Sequence, residues 1–178
     1  MNYLEEYRQH QCLCLKGWMP DIEVARYVAQ IDALEWCTDR VTSDNFRFDV
    51  VDAPALTTAL NARVFELAPL VSTLLDGVSL SYFEGTLKRL QEGPNYRFPW
   101  HSDKSGGRVM GVSLCFAAGE GGDFEMRLKW SKDVHACLKN LNPGDIHLFD
   151  VADVSVVHRV TPVMGPNPRI FFAGWFYV

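Results

Sequence analysis

The chain lacks most of the features that would place it quickly. No run approaches the roughly 18 apolar residues needed to span a bilayer, so no membrane helix is expected. The opening MNYLEEYRQHQ carries acidic residues and no apolar segment of export type, which makes the cytoplasm the expected compartment. The 5 cysteines are an odd number without CxxC spacing, so each is expected to be a small buried hydrophobe. Cys12 and Cys14 would share one face of a strand, but a zinc site needs two further ligands nearby and none is visible. The formal charge is −5 and the basic residues are scattered, whereas nucleic-acid binders usually show a basic stripe. No repeat or low-complexity tract is present.

What remains is 178 residues, 48% of them hydrophobic, enough for one compact domain spanning 1–178. It divides into a helical front (about 1–77) and a β-rich back (about 78–178). In the front, Asp21 follows Pro20 as a candidate N-cap, and Val24, Tyr27, Val28, Ile31 and Leu34 recur at helical steps. A second helix begins near Pro54, with Leu56, Leu60, Val64 and Leu67 on one stripe. Pro69 should kink or end it, and Asp76-Gly77 stops whatever continues. The segment 42–52 interleaves polar residues with Phe46, Phe48 and Val50, as an exposed strand or loop would.

From residue 78 the punctuation changes. Short apolar or alternating runs at 78–83, 86–90, 109–116, 124–128, 145–149, 154–160 and 169–178 are separated by Gly/Pro/Asn/Asp clusters. This spacing indicates a sandwich or barrel rather than alternating strands and helices.

The segment Tyr96-Arg97-Phe98-Pro99-Trp100-His101-Ser102-Asp103 contains His101-x-Asp103. On an extended chain, residues i and i+2 point the same way, so imidazole and carboxylate can meet one metal ion. His158, in the strand-like run 154–160, could supply a third ligand. Two histidines and one carboxylate on one face of an octahedral ion leave three positions open, the non-haem Fe(II) pattern. Taken singly, His101-x-Asp103 arises often by chance, and a lone histidine is usually a hydrogen-bonded interior residue.

Arg169 adds weight. It opens the nearly apolar run Ile170-Phe171-Phe172-Ala173-Gly174-Trp175-Phe176, and a guanidinium there cannot readily lose its charge. Left unpaired indoors, it would cost several kcal/mol, on the order of the penalty for any buried ion. It therefore needs a carboxylate, from an internal residue such as Asp150 or Asp153 or from a ligand held bidentately. The turn Gly165-Pro166-Asn167-Pro168 would fold Arg169 back beside His158, so a dicarboxylate joined to the metal at one end and to Arg169 at the other satisfies both sites.

His101-x-Asp103, His158-Arg159-Val160-Thr161-Pro162-Val163, Arg169 and Trp175-Phe176 together resemble the Fe(II)/2-oxoglutarate-dependent dioxygenases, specifically the small prolyl-4-hydroxylase-like branch. Gly121-Gly122-Asp123-Phe124 and Pro143-Gly144-Asp145-Ile146-His147-Leu148-Phe149 are similar to two further strand motifs of that branch. The likeness runs over about 87–176. It implies a mostly β (α+β) double-stranded β-helix, a jelly roll of the cupin type, with N-terminal helices packed on one sheet. It implies Fe(II) on His101, Asp103 and His158, and Arg169 on the distal carboxylate of 2-oxoglutarate. Retention of Asp103 favours hydroxylation, because related halogenases replace that carboxylate to admit a halide.

This sequence also departs from the pattern. Leu90 stands where the family often has Tyr, and Phe171 stands where some relatives have Ser or Thr. A second partner for the co-substrate carboxylate is therefore open, with Tyr96 the candidate and an exposed loop aromatic the alternative. Trp100 points oppositely to His101 and would line the pocket mouth, contacting substrate, or pack beneath it. His147 reads as an interior histidine, Arg127 as a rim residue, and His135 as a loop residue. The substrate is expected to be a small molecule such as an amino acid or metabolite, with a protein or peptide residue as the alternative. A metal-binding module of the same fold without redox chemistry is a further reading.

Overall fold

The computed structural model describes residues 2–39, 43, 45–139 and 141–178. Of the segment 42–52, Thr42 and Asp44 lie outside the described residues. Among the described residues the front holds four helices: α1 (Tyr3–His10), α2 (Asp21–Ile31), α3 (Pro54–Phe65) and α4 (Ala68–Leu74). Helix α1 went unread in the sequence. Glu5 and Glu6 in its first turn and Arg8 and His10 in its last suit the helix dipole, and Tyr7 turns inward. Asp21 is the first helical residue of α2 rather than its cap, a position held by Pro20. Pro69 lies in the first turn of α4, where its missing N–H breaks no helical bond, so the expected interruption is a clean restart.

The described residues form eleven strands: β1 (Cys12–Leu15), β2 (Cys37–Thr38), β3 (Asp49–Val50), β4 (Tyr82–Leu90), β5 (Phe98–His101), β6 (Arg108–Ala117), β7 (Phe124–Leu128), β8 (Val134–Leu138), β9 (Ile146–Asp150), β10 (Val156–Val160) and β11 (Arg169–Tyr177). They form a seven-stranded sheet ordered β1-β9-β6-β11-β4-β3-β2 and a four-stranded sheet ordered β5-β10-β7-β8, with every pairing antiparallel. This is the jelly roll. The front is not purely helical, since β1 extends the large sheet at the β9 edge.

The expected run 86–90 and only the last two residues of 78–83 form one strand, β4, while 78–81 precede it. Gly85 does not break β4 because it pairs with Gly174 of β11, and a Cβ on Gly174 would lie 2.0 Å from the Glu84 carbonyl oxygen. His135, expected in a loop, belongs to the edge strand β8.

The alternation of β11 organises the core. Ile170, Phe172 and Phe176 join Leu60, Val64 and Val71 of the helices in one apolar cluster. Phe171, Ala173 and Trp175 face the other way, into a second cluster shared with Phe124, Met126 and Val160 of the small sheet. Arg169 has the parity of this second set, so the register that buries the phenylalanines also aims the guanidinium between the sheets.

Candidate metal and carboxylate site

Strand β5 ends at His101, which is paired directly with His158 of β10. Their rings lie 4.3 Å apart, and Asp103 follows two residues on. His101 Nε2 is 3.5 Å from Asp103 Oδ1, and His158 Nε2 is 3.4 Å from Oδ2. One ligand atom from each residue lies within 4.8 Å of the other two. The Pro99 carbonyl is 2.6 Å from His101 Nδ1; it can only accept, so the ring proton belongs on Nδ1 and Nε2 is free as a lone-pair donor. Trp175 Nε1 donates to Asp103 Oδ2 at 2.8 Å.

The electrostatics suit cation binding. Burial works against the Asp103 carboxylate, but the hydrogen bond and charge of His158, then His101 and Trp175, outweigh it and hold Asp103 at about 2. Burial first, and then the neighbouring His158, lower the pKa of His101, which favours the neutral ring that a metal requires.

These residues open onto a cavity of about 330 Å³ between the sheets. Its walls are largely aromatic (Phe46, Phe48, Phe98, Phe124, Phe149 and Phe171), and Arg169, His147, Ser113 and Lys88 are set into them. Arg169 is 3% exposed and makes no hydrogen bond or ion pair among the described residues; its Nε is buried without a partner. Asp150 and Asp153, the internal carboxylates weighed for it, are engaged elsewhere. Asp150 accepts from the backbone of Ala152 and Asp153, and Asp153 accepts from Ser155 and Gln11. Gly122 adopts a φ of +65°, and a Cβ there would lie 2.9 Å from Arg169 Cδ, so the paired glycines leave the guanidinium its channel.

His147 departs from its expected state. It is 1% exposed, and among the described residues neither ring nitrogen has a hydrogen-bond partner. Burial and the charge of Arg169 hold it well below the ordinary histidine range. Ser113 is its cross-strand partner on β6. Sequence reasoning missed both as site residues. The available signal was the shared face of His147 and Phe149, but the usual reading of such a histidine supplies it with a partner that this packing does not.

Tyr96 and Trp100 are not brought to the cavity. Tyr96 is half-buried beside Gly93 and packs against the edge of the second cluster. Trp100 lies on the opposite face of the small sheet, its ring centroid 4.5 Å from the Arg127 guanidinium and 4.7 Å from that of Arg159. These contacts fix Arg127 outside the cavity as well.

No family model and no curated protein matches the sequence. Solved structures do match in fold. A prolyl-4-hydroxylase of Pseudomonas putida superposes with a TM-score of 0.73 at 19% identity, covering 98% of this chain and 96% of that one. A Trichoplax adhaerens prolyl hydroxylase, solved with a hypoxia inducible factor peptide fragment, gives 0.73 at 12%, covering 98% and 87%. SnoN, a non-heme alpha ketoglutarate dependent epimerase from nogalamycin biosynthesis, gives 0.71 at 16%, covering 98% and 80%. At such identities the likeness establishes the jelly-roll fold of these oxygenases.

Proposed function

We propose that the chain is an Fe(II)- and 2-oxoglutarate-dependent oxygenase, a single domain over 1–178, that oxidises a C–H bond of a small molecule. The observation that carries this reading is the pairing of an open His-Asp-His triad with an unpartnered, buried Arg169 in one cavity. The residues fit both groups. Metal bonds of about 2.1 Å put neighbouring ligand atoms roughly 3 Å apart, and the 3.4–3.5 Å contacts here need only a small contraction. Among the described residues Arg169 Nε and both nitrogens of His147 are buried without hydrogen-bond partners, and a ligand carboxylate would accept from Arg169 Nε and from the one His147 nitrogen that carries a proton.

His101, Asp103 and His158 would hold the iron. Arg169 would grip the distal carboxylate of 2-oxoglutarate, with His147 and Ser113 as donors beside it. When bound, the iron and co-substrate would supply O₂-driven oxidation of a C–H bond, with release of succinate and CO₂. The chain's own contribution is positional. The Trp175 indole fixes the carboxylate plane of Asp103, and Pro99 fixes the ring of His101. The phenylalanine walls exclude water from the reacting centre. Among the described residues no helix is long and apolar enough to cross a membrane, and all 5 cysteines are free thiols, which accords with a cytoplasmic enzyme.

The test is oxygen-dependent conversion of 2-oxoglutarate to succinate by the Fe(II)-loaded protein. His158→Ala and Asp103→Ala should abolish it. Turnover that survives both substitutions would refute the assignment.

A further inference from the structure

The co-substrate leaves one charged group of the cavity unused. Lys88 lies on β4, opposite Phe171 of β11, and its side chain lines the cavity. The ammonium donates to Thr86 Oγ1 at 2.8 Å and lies 3.4 Å from the Ala173 carbonyl, with the Trp175 ring 5.9 Å away. Lys88 is half-buried, and no carboxylate of the described residues forms an ion pair with it. Burial weakens its hold on the proton, and Asp103 and Asp39 attract it from a distance.

Sheet order separates Lys88 from the co-substrate pocket. The strands run β9-β6-β11-β4, so His147 and Lys88 stand three strand spacings apart, roughly 14 Å at about 4.8 Å per strand. Arg169 stands on β11 next to β4, paired with Leu90, but the Lys88 ammonium leans the other way along these strands, to Thr86 and the Ala173 carbonyl, so a carboxylate gripped by Arg169 and His147 does not also neutralise Lys88. The wall beside Lys88 is apolar. Phe46 and Phe48 stack at 6.4 Å between centroids, Phe48 meets Phe98 at 4.9 Å, and Phe98 lies 6.2 Å from the ring of His101. A hydrocarbon body on this wall therefore lies next to a proposed metal ligand.

We infer that Lys88 is the substrate's anion receptor and that the substrate is a free carboxylic acid with an apolar, aromatic or medium-chain body seated on Phe46, Phe48 and Phe98. The inference rests on the oxygenase reading and narrows its substrate class. The co-substrate takes part of the same cavity of about 330 Å³, and the space left beside it suits a small molecule rather than a peptide backbone. The ammonium fixes one end of the acid, and the phenylalanines hold its carbons beside the metal site.

Calorimetric titration of the anaerobic Fe(II)-loaded protein tests this, first with 2-oxoglutarate and then, on the ternary complex, with 3-phenylpropanoate and octanoate, each against its primary alcohol. The acids should bind at least tenfold tighter than the alcohols. Lys88→Met should erase that preference while changing 2-oxoglutarate affinity less than twofold, and Lys88→Arg should restore most of it. Phe48→Ala should weaken acid and alcohol alike.

An unchanged acid preference in Lys88→Met would overturn the inference. So would a wild type that binds no acid, or that binds only an acidic peptide. Loss of 2-oxoglutarate binding in Lys88→Met would assign Lys88 to the co-substrate and overturn it too. A wild type that fails to bind 2-oxoglutarate in the first titration defeats the oxygenase reading itself, a separate result.

Discussion

The indole Nε1 of Trp175 donates to Oδ2 of Asp103 at 2.8 Å, tying the last strand of the large sheet to a carboxylate just beyond the small one. Oδ2 also faces His158, so one oxygen is oriented by two partners while Oδ1 faces His101. Trp175→Phe keeps an aromatic ring under the Arg108 guanidinium, now 3.7 Å from the ring centroid, and removes only the donor. Outer-shell donors of this kind are typically worth about 10–100-fold in metal affinity. Competitive titration with a chelator should show a loss in that range, with little change in thermal stability.

Arg169 and His147 predict opposite signs for folding and binding. Arg169 Nε and both His147 nitrogens are buried without hydrogen-bond partners among the described residues, so an apolar replacement relieves the metal-free fold. His147→Leu should raise stability by about 1 kcal/mol and weaken 2-oxoglutarate binding roughly tenfold. Arg169→Met should leave the melting temperature level or higher and weaken binding about 100-fold, since two charge-assisted bonds are lost. Denaturation and co-substrate titration on the same preparations check both signs.

Gly122 acts through Arg169. A methyl at its Cβ would meet the arginine stem, and its φ of +65° is costly for any side chain. Gly122→Ala should therefore reduce co-substrate affinity tenfold or more, leaving metal affinity within about twofold. Equal losses of both would mean that the loop, and not the guanidinium, had moved.

Asp145 predicts an acid limit. Its carboxylate accepts from Lys16 Nζ at 2.8 Å, Gly17 N at 2.8 Å and Asn142 N at 2.9 Å. Burial opposes ionisation, but these donors win and lower its pKa from 3.8. A depressed folded-state pKa gives stability that is full above the unfolded value and fades as pH falls through the folded one. Asp145→Ala should cost about 2–3 kcal/mol at neutral pH, and the gap from wild type should close as pH drops below 3.8. A constant gap down to pH 2 would contradict the role given to its charge.

Much of this site was legible because strand alternation is a strict rule. The two-residue spacing of His101 and Asp103 and the apolar run after Arg169 fixed which way those side chains point before any coordinates. His147 was not legible. Whether a buried imidazole finds a partner depends on what β6 and β7 place against it, and here those neighbours are Ser113 and the Phe124 ring, 4.5 Å away. Trp100 lies outside the cavity, and its contacts with Arg127 and Arg159 needed two other strands to assemble. The Lys88 ammonium likewise gained its meaning only when β4 settled between β11 and β3. Among the elements, α1 and β8 were missed because one is a single short amphipathic stretch and the other an edge strand with one buried residue.

The central claim is that the triad and Arg169 serve one bridging ligand. The most direct measurement is the visible metal-to-ligand charge-transfer band of the anaerobic protein titrated with Fe(II) and 2-oxoglutarate. The account predicts a band that requires both additions, disappears in His101→Ala and His158→Ala, and needs far more 2-oxoglutarate to develop in Arg169→Met. A band absent from wild type, or one that forms at the same 2-oxoglutarate concentration in Arg169→Met, would contradict it.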